Sequence, residues 1–224
     1  MTDPRNRGVV FDLWNTLAYA DVSPNPVVWM ADRLGVLSRP DWGDLIERAY
    51  MAEPVPGIEE ALRRVEEAAG LSPTSPAPFV EVFRRADRST RLFDDVLPAL
   101  RALRPRFRLA LLTNTQSFGL DFIHETGLAG LFDVTCYSFE CGLLKPDPRI
   151  FQWTADRLGL DPECLTMVGD NLEKDVLAAE AAGWRGILIK RSEGEGEEAL
   201  SHFETGDHIR TVHSLPEILP MLEV

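Results

Sequence analysis

Apolar residues along this chain fall into two alternating patterns. Continuous runs such as Gly8-Val9-Val10-Phe11, Phe107-Arg108-Leu109-Ala110-Leu111-Leu112, Val134-Thr135-Cys136-Tyr137, Leu165-Thr166-Met167-Val168 and Gly186-Ile187-Leu188-Ile189 have the length and aliphatic character of buried strands. Between them apolar positions recur at helical spacing, as in 148–158, where Ile150, Phe151, Ala155 and Leu158 share one face. Helices are likewise expected at 118–126 and at 174–182, the latter stopped by Gly183, and a last strand near 209–212 leads into a short helix opening at Ser214. Strands apolar throughout and alternating with helices predict an α/β fold: a Rossmann-like three-layer α/β/α core around a parallel sheet.

The first strand stands far from the others. Half of the 16 prolines (Pro24, Pro26, Pro40, Pro54, Pro56, Pro73, Pro76 and Pro78) fall in the intervening stretch, where they separate short helices such as 57–69 and 78–87. The predicted organisation is a core of residues 1–20 and 91–224 with a small all-α cap domain, 21–90, inserted after the first strand. The stretch 93–103 is the helix leading back to the sheet. The run 192–198, rich in Glu and Gly, reads as a solvated loop.

Composition narrows the function. Lys and Arg number 23 against 36 Asp and Glu, a formal net charge of −13, and such a surface repels phosphate backbones and anionic lipid. The expected partner is a small molecule, with no nucleic acid and no membrane, and the protein is expected to be a monomer or homodimer. The first apolar run already carries Asp12, unlike a signal peptide. Three cysteines without zinc-site spacing suit a reduced, cytoplasmic chain.

In an open parallel sheet, chemistry gathers beyond the C-terminal ends of the strands. There this chain carries Asp12-Leu13-Trp14-Asn15-Thr16 after the first strand and Thr113-Asn114 after the second. Lys145-Pro146-Asp147-Pro148 follows the third, and Asp170-Asn171, with Asp175 five residues on, follows the fourth. Asp12, Asp170 and Asp175 converging at one edge would repel one another unless a cation sat among them, and hard oxygen ligands suit Mg²⁺. Thr113 and Lys145 add a hydroxyl and a positive charge for an anion. Carboxylate nucleophile, Mg²⁺ and lysine together form a phosphoryl-transfer constellation, with Asp12 at a strand end as the nucleophile.

This ordered set resembles the four motifs of the haloacid dehalogenase-like hydrolases, mostly Mg²⁺-dependent phosphatases with a helical cap inserted where 21–90 stands here. Phe11 to Leu17, Leu111 to Asn114, Lys145 to Phe151 and Val168 to Asn171 with Asp175 carry the resemblance. It implies that Asp12 attacks phosphorus to form an aspartyl-phosphate. Asp12, Asp170 and the backbone carbonyl of Trp14 would bind Mg²⁺, with Asp175 supporting the metal. Thr113, Asn114 and Lys145 would hold the phosphoryl oxygens, and Trp14, Asn15 and Thr16 would line the substrate site. The implied substrate is a small phosphorylated metabolite.

One departure is chemical. The family's phosphatases usually carry a second Asp two residues after the nucleophile as general acid and base, and here Trp14 stands in that place; indole is a donor with no useful pKa. Losing such a group costs about 10²–10⁴ in rate. The phosphatase reading therefore favours good leaving groups or an acid supplied by Tyr19, Asp21 or the cap. Two alternatives are a haloacid dehalogenase-type C–halogen hydrolase, whose leaving halide needs no proton, and a catalytically silent family member that binds a ligand or partner. Asn15 replaces the family's usual Gly, a milder change because Asn tolerates left-handed backbone. Trp29, Trp42, Tyr50, Phe79 and Phe83 are expected to pack the cap. Arg84, Arg85, Arg88 and Arg91 are expected to form a solvated face. His124, His202, His208, His213 and the cysteines receive no catalytic role.

Overall fold

A computed structural model of the protein describes residues 5–191 and 209–222. Its strands are β1 (Gly8–Phe11), β2 (Ala18–Ala20), β3 (Thr90–Leu92), β4 (Arg108–Thr113), β5 (Val134–Tyr137), β6 (Leu165–Gly169), β7 (Arg185–Ile189) and β8 (Thr211–Val212). Six of them form one parallel sheet in the order β5-β4-β1-β6-β7-β8. The first strand in sequence is thus central, with Gly8 opposite Arg108 on one side and Leu165 on the other.

Alternate side chains of each strand enter opposite apolar layers. Val9, Phe11, Leu109 and Leu111 pack with Leu100, Phe122 and Ile218 on one face. Val10, Ala110, Leu112 and Met167 pack with Ile150, Phe151 and Trp184 on the other. Each such fully buried large side chain contributes on the order of 1.5–3 kcal/mol. Because both faces are covered, the strands of the main sheet are apolar at most positions rather than at every second one, and this is why the sequence shows runs rather than alternation.

The helices are α1 (Pro26–Arg33), α2 (Trp42–Tyr50), α3 (Ile58–Ala69), α4 (Ala77–Ser89), α5 (Val96–Leu103), α6 (Asp121–Glu125), α7 (Ser138–Cys141), α8 (Pro148–Leu158), α9 (Ala178–Ala181) and α10 (Ile218–Leu222). α8 shows how sequence sets its ends. Asp147 Oδ1 accepts from the Arg149 amide at 2.9 Å, Pro148 opens the first turn, and Gly159 closes it with φ of 63°.

Helices α1–α4 lie between β2 and β3 and share an apolar cluster of their own, built from Met30, Ile46, Tyr50, Leu62, Val65, Phe79 and Phe83. Trp29 meets Phe79 edge-on at 5.2 Å. The two connections to this insertion run side by side, since β2 and β3 pair antiparallel. Arg84, Arg85, Arg88 and Arg91 are exposed, and Arg84 lies 4.0 Å from Glu81.

Two helices depart from expectation. The stretch 118–126 begins its helix only at Asp121, because Gly119 adopts φ of 70°, outside the right-handed helical region. The stretch 174–182 is a wide π-helical turn, Leu172–Leu177, followed by α9. Asn171 opens that turn, its Oδ1 accepting from the amides of Glu173 at 3.1 Å and Lys174 at 2.9 Å. The run 192–198, His202 and His208 lie outside the described residues. Among the described residues no helix is long and apolar enough to cross a membrane.

Candidate active site

All six strands of the main sheet point the same way, so the residues following β1, β4 and β6 share one edge. Asp12 directly follows β1, and its amide donates to the Val168 carbonyl at 2.9 Å. The residue is 7% exposed, and Oδ1 accepts from Lys145 Nζ at 2.7 Å. Lys145, 3% exposed, also donates to the Leu112 carbonyl at 3.1 Å and to Asp175 Oδ1. The ammonium is thereby fixed between two carboxylates with all three of its protons directed.

Asp175 reaches this place because the π-helical turn aims it back at the sheet, where its Oδ2 accepts from the Asn171 amide at 3.0 Å. That approach needs a glycine at 169, since a Cβ there would stand 2.3 Å from Asp175 Cγ. Gly169→Ala is therefore expected to push Asp175 off Lys145 and to destabilise the fold by about 1–3 kcal/mol. A urea midpoint equal to wild type would rule this out. Asp170, one residue beyond β6, accepts from Asn15 Nδ2 at 3.3 Å. Asn15 has φ of 55°, and it alone among the described non-glycine residues has a positive φ. This backbone turns its amide toward Asp170, and Asn is one of the few side chains that tolerate it.

Charge is unbalanced here. Asp12, Asp170 and Asp175 each offer an oxygen, all within 4.8 Å of one another, against one lysine. Burial pushes the Asp12 carboxyl up to about 6; the Lys145 charge opposes that shift and the Asp175 charge adds to it. Burial, followed by the charges of Asp12 and Asp175, raises Asp170 well above the usual carboxylate range. Burial alone would lower the Lys145 ammonium, but the charges and hydrogen bonds of Asp12 and Asp175 outweigh it and raise it. A cluster of hard oxygen donors with surplus negative charge fits a divalent cation such as Mg²⁺.

The remaining expected residues divide. Thr113 ends β4 fully buried beside this cluster. Asn114 is expected on phosphoryl oxygens, but its amide is committed to the backbone of Lys145. Its Oδ1 accepts from the Lys145 amide at 2.8 Å, and its Nδ2 donates to the Lys145 carbonyl at 2.9 Å. It positions the lysine. Thr16 is fully buried with no partner for its hydroxyl, while its carbonyl accepts from Arg191 Nη2 at 2.7 Å. Trp14 spends its one donor on Thr115 Oγ1 at 3.0 Å and packs against Phe122, ring centres 5.7 Å apart. Tyr19 packs at a tilt against Phe93, ring centres 4.7 Å apart, and Asp21 is exposed. Cys136 is buried, which pushes its thiol up to about 12 and leaves it unreactive. His124 is exposed on α6.

Sequence reasoning missed the contacts between the helical insertion and this edge. Glu47 of α2 accepts from Asn114 Nδ2 at 2.9 Å and pairs with Lys174 Nζ at 2.9 Å. Ser138 Oγ donates to the Met51 carbonyl at 2.6 Å, and Ser117 exchanges two 2.8 Å bonds with the backbone of Val55. No motif marks Glu47, and its partners lie far away in sequence.

The buried Asp12–Lys145–Asp175 array beyond the central strand, with Asp170 one residue past β6, marks a candidate active site at the carboxyl edge of an α/β sheet. The chain belongs to the haloacid dehalogenase-like hydrolase family, whose sequence model matches residues 7–183. It is 36% identical over 155 residues to a phosphoserine phosphatase of Thermus thermophilus, covering 68% of this chain and 62% of that protein. It is 34% identical over 117 residues to a glyceraldehyde 3-phosphate phosphatase of Methanopyrus kandleri, covering 51% of this chain and 50% of that one. The chain thus spans between half and two thirds of the length of these curated relatives. Among solved structures, a haloacid dehalogenase-family phosphatase from Thermococcus onnurineus superimposes with a TM-score of 0.61 at 21% identity, covering 96% of this chain and 97% of that one. A 2-haloacid dehalogenase from Pseudomonas syringae gives a TM-score of 0.61 at 21% identity, with 97% of each chain covered. At that identity, likeness to a phosphatase and to a dehalogenase alike shows the shared fold.

Proposed function

We propose that this hydrolase is a Mg²⁺-dependent phosphatase acting through an aspartyl-phosphate on Asp12, with a small phosphomonoester or acyl phosphate as substrate. The supporting observation is the Lys145 ammonium buried between Asp12 and Asp175 beside Asp170, an array with surplus negative charge at the edge where an anion would be received. The curated relatives that dephosphorylate small metabolites support the substrate class.

The chemistry follows from the residues. Lys145 fixes one oxygen of Asp12 and leaves the other for in-line attack on phosphorus. The ammonium, its protons already directed to Asp12, Asp175 and the Leu112 carbonyl, acts on phosphoryl oxygens through its charge, and Thr113 offers them a hydroxyl. Asp12, Asp170 and the Trp14 carbonyl would hold Mg²⁺, with Asp175 behind them, and the ion would supply positive charge between carboxylates and phosphate. Trp14 cannot protonate a leaving alkoxide, so the first step favours groups that depart as stable anions. In this reading residues 21–90 act as a cap over the site, Trp14 and Asn15 lie along its floor while Thr16, expected there, is fully buried with its carbonyl bonded to Arg191 instead, and the protein works in the cytoplasm. The C–halogen alternative would keep Asp12 as nucleophile but gives Asp170 no task and leaves its charge beside Asp12 and Asp175 without a cation.

Phosphate release from p-nitrophenyl phosphate, whose leaving group needs no proton, tests the proposal. Release should require Mg²⁺ and vanish in Asp12→Asn. Equal release by wild type and variant, or release indifferent to Mg²⁺, would refute it; halide release from a haloacid would favour the alternative.

A further inference from the structure

α2 carries a carboxylate to which the mechanism above gives no task. Glu47 Oε2 accepts from Asn114 Nδ2 at 2.9 Å, and Oε1 lies 2.9 Å from Lys174 Nζ. Asn114 directly follows β4, and Lys174 lies in the turn after β6. In the sheet β1 runs between β4 and β6. A carboxylate bonded to both flanking loops therefore bridges the end of β1, and Asp12 is the first residue past that end. Glu47 thus comes from the insertion to the side of the site facing the sheet edge. Its side chain is 22% exposed, which leaves a path for a proton to solvent.

We propose that Glu47 is the general base for hydrolysis of the aspartyl-phosphate, a task Trp14 has no chemistry to perform. The inference rests on the phosphatase reading and assigns the second half of that reaction. In-line displacement brings water to phosphorus on the face opposite the Asp12 oxygen, and Glu47, held by both loops that flank the end of β1, is assigned to that face. Water gives one proton to a Glu47 oxygen, each of which keeps a lone pair beyond its bond to Asn114 or Lys174. The water oxygen forms the new P–O bond, the bond from phosphorus to Asp12 breaks, and its electron pair returns to the Asp12 carboxylate. Inorganic phosphate leaves, and Glu47 passes its proton to solvent. No proton donor is needed in the first half, because the leaving group departs as an anion.

The competing reading makes Glu47 a strap that ties α2 to the core through Lys174, which also reaches Asp44 at 3.2 Å. Rapid-mixing kinetics with p-nitrophenyl phosphate and Mg²⁺ separate the two. Glu47→Gln should release about one equivalent of nitrophenolate in a burst, then turn over more slowly by about 10²–10⁴. Acid-quenched protein should show a phosphoryl group on Asp12 by mass. Glu47→Asp should recover part of the steady-state rate. Lys174→Met cuts the strap and spares the carboxylate, so it should change turnover by no more than about fivefold, without accumulating phospho-enzyme. A Glu47→Gln rate within that same range, or a burst and steady state that fall together as in Lys174→Met, would overturn the inference and leave the phosphatase reading standing. No release by the wild type would overturn both.

Discussion

Lys145→Met is expected to lower stability by about 3–5 kcal/mol at neutral pH and to reduce phosphatase turnover by about 10²-fold or more. The ammonium is 3% exposed and holds Asp12, Asp175 and the Leu112 carbonyl together. Methionine fills similar volume, so packing survives while two buried carboxylates lose their shared counter-charge and repel. That uncompensated repulsion, rather than the net worth of the ion pairs, sets the size of the effect. Lys145→Arg should rescue poorly, because a planar guanidinium cannot direct donors to three acceptors arranged about a point. Urea unfolding read beside p-nitrophenyl phosphate turnover checks both claims. A midpoint within about 1 kcal/mol of wild type would show that Lys145 does not balance this cluster.

The polar groups of this edge were legible in the sequence to unequal degrees. Asp12, Thr113, Asp170 and Asp175 sit at or just beyond ends of apolar runs, and a parallel sheet converts such ends into one edge. Lys145 belongs to no strand, yet its place in the loop after the third apolar run marks it as a positive charge at the same edge; its burial between two carboxylates is not legible from that pattern. Asn114 was legible as a site residue, but its bonds to the Lys145 backbone were not, since they join positions 31 residues apart. Glu47 carried no signal, because one acid on an amphipathic helix is the ordinary solvated kind until tertiary contacts place it. The helices expected at 118–126 and 174–182 rest on helical period and, for the second, the stop at Gly183. Gly119's left-handed φ and the Asn171 side chain, each a local backbone device, override the period there. What sequence pattern supplied was layer and edge, and what it lacked was long-range hydrogen bonding.

The same cluster makes function and stability oppose each other. Without a cation, Asp170→Asn is expected to stabilise the protein near neutral pH while reducing Mg²⁺-dependent turnover by about 10²-fold or more. The sign follows from the raised pKa values. A carboxyl whose folded-state pKa lies above its unfolded value contributes stability that is fully present below the unfolded pKa and is lost as pH rises through the folded one. Asp12, pushed up to about 6, and Asp170, raised well above the carboxylate range, both belong to this case. The cation-free wild type should therefore lose on the order of 1–3 kcal/mol of the cluster's contribution between about pH 4 and about pH 7. Surface groups with lowered values, Asp41 and Glu217 among them, work in the opposite direction and are shared by the variant. The difference between the two unfolding curves in chelator thus isolates Asp170: near zero at about pH 4 and growing in the variant's favour as pH rises. Mg²⁺ reverses the order, because a ligand at about 100 times its Kd stabilises the folded wild type by about 2.7 kcal/mol. The variant, lacking one ligand, should gain far less. Thermal unfolding with chelator and with Mg²⁺ across that pH range reads all of this without an activity assay. A variant less stable than wild type in chelator near neutral pH would mean that Asp170 is held by partners strong enough to make its charge welcome, and the case for a cation among these three carboxylates would fall with it.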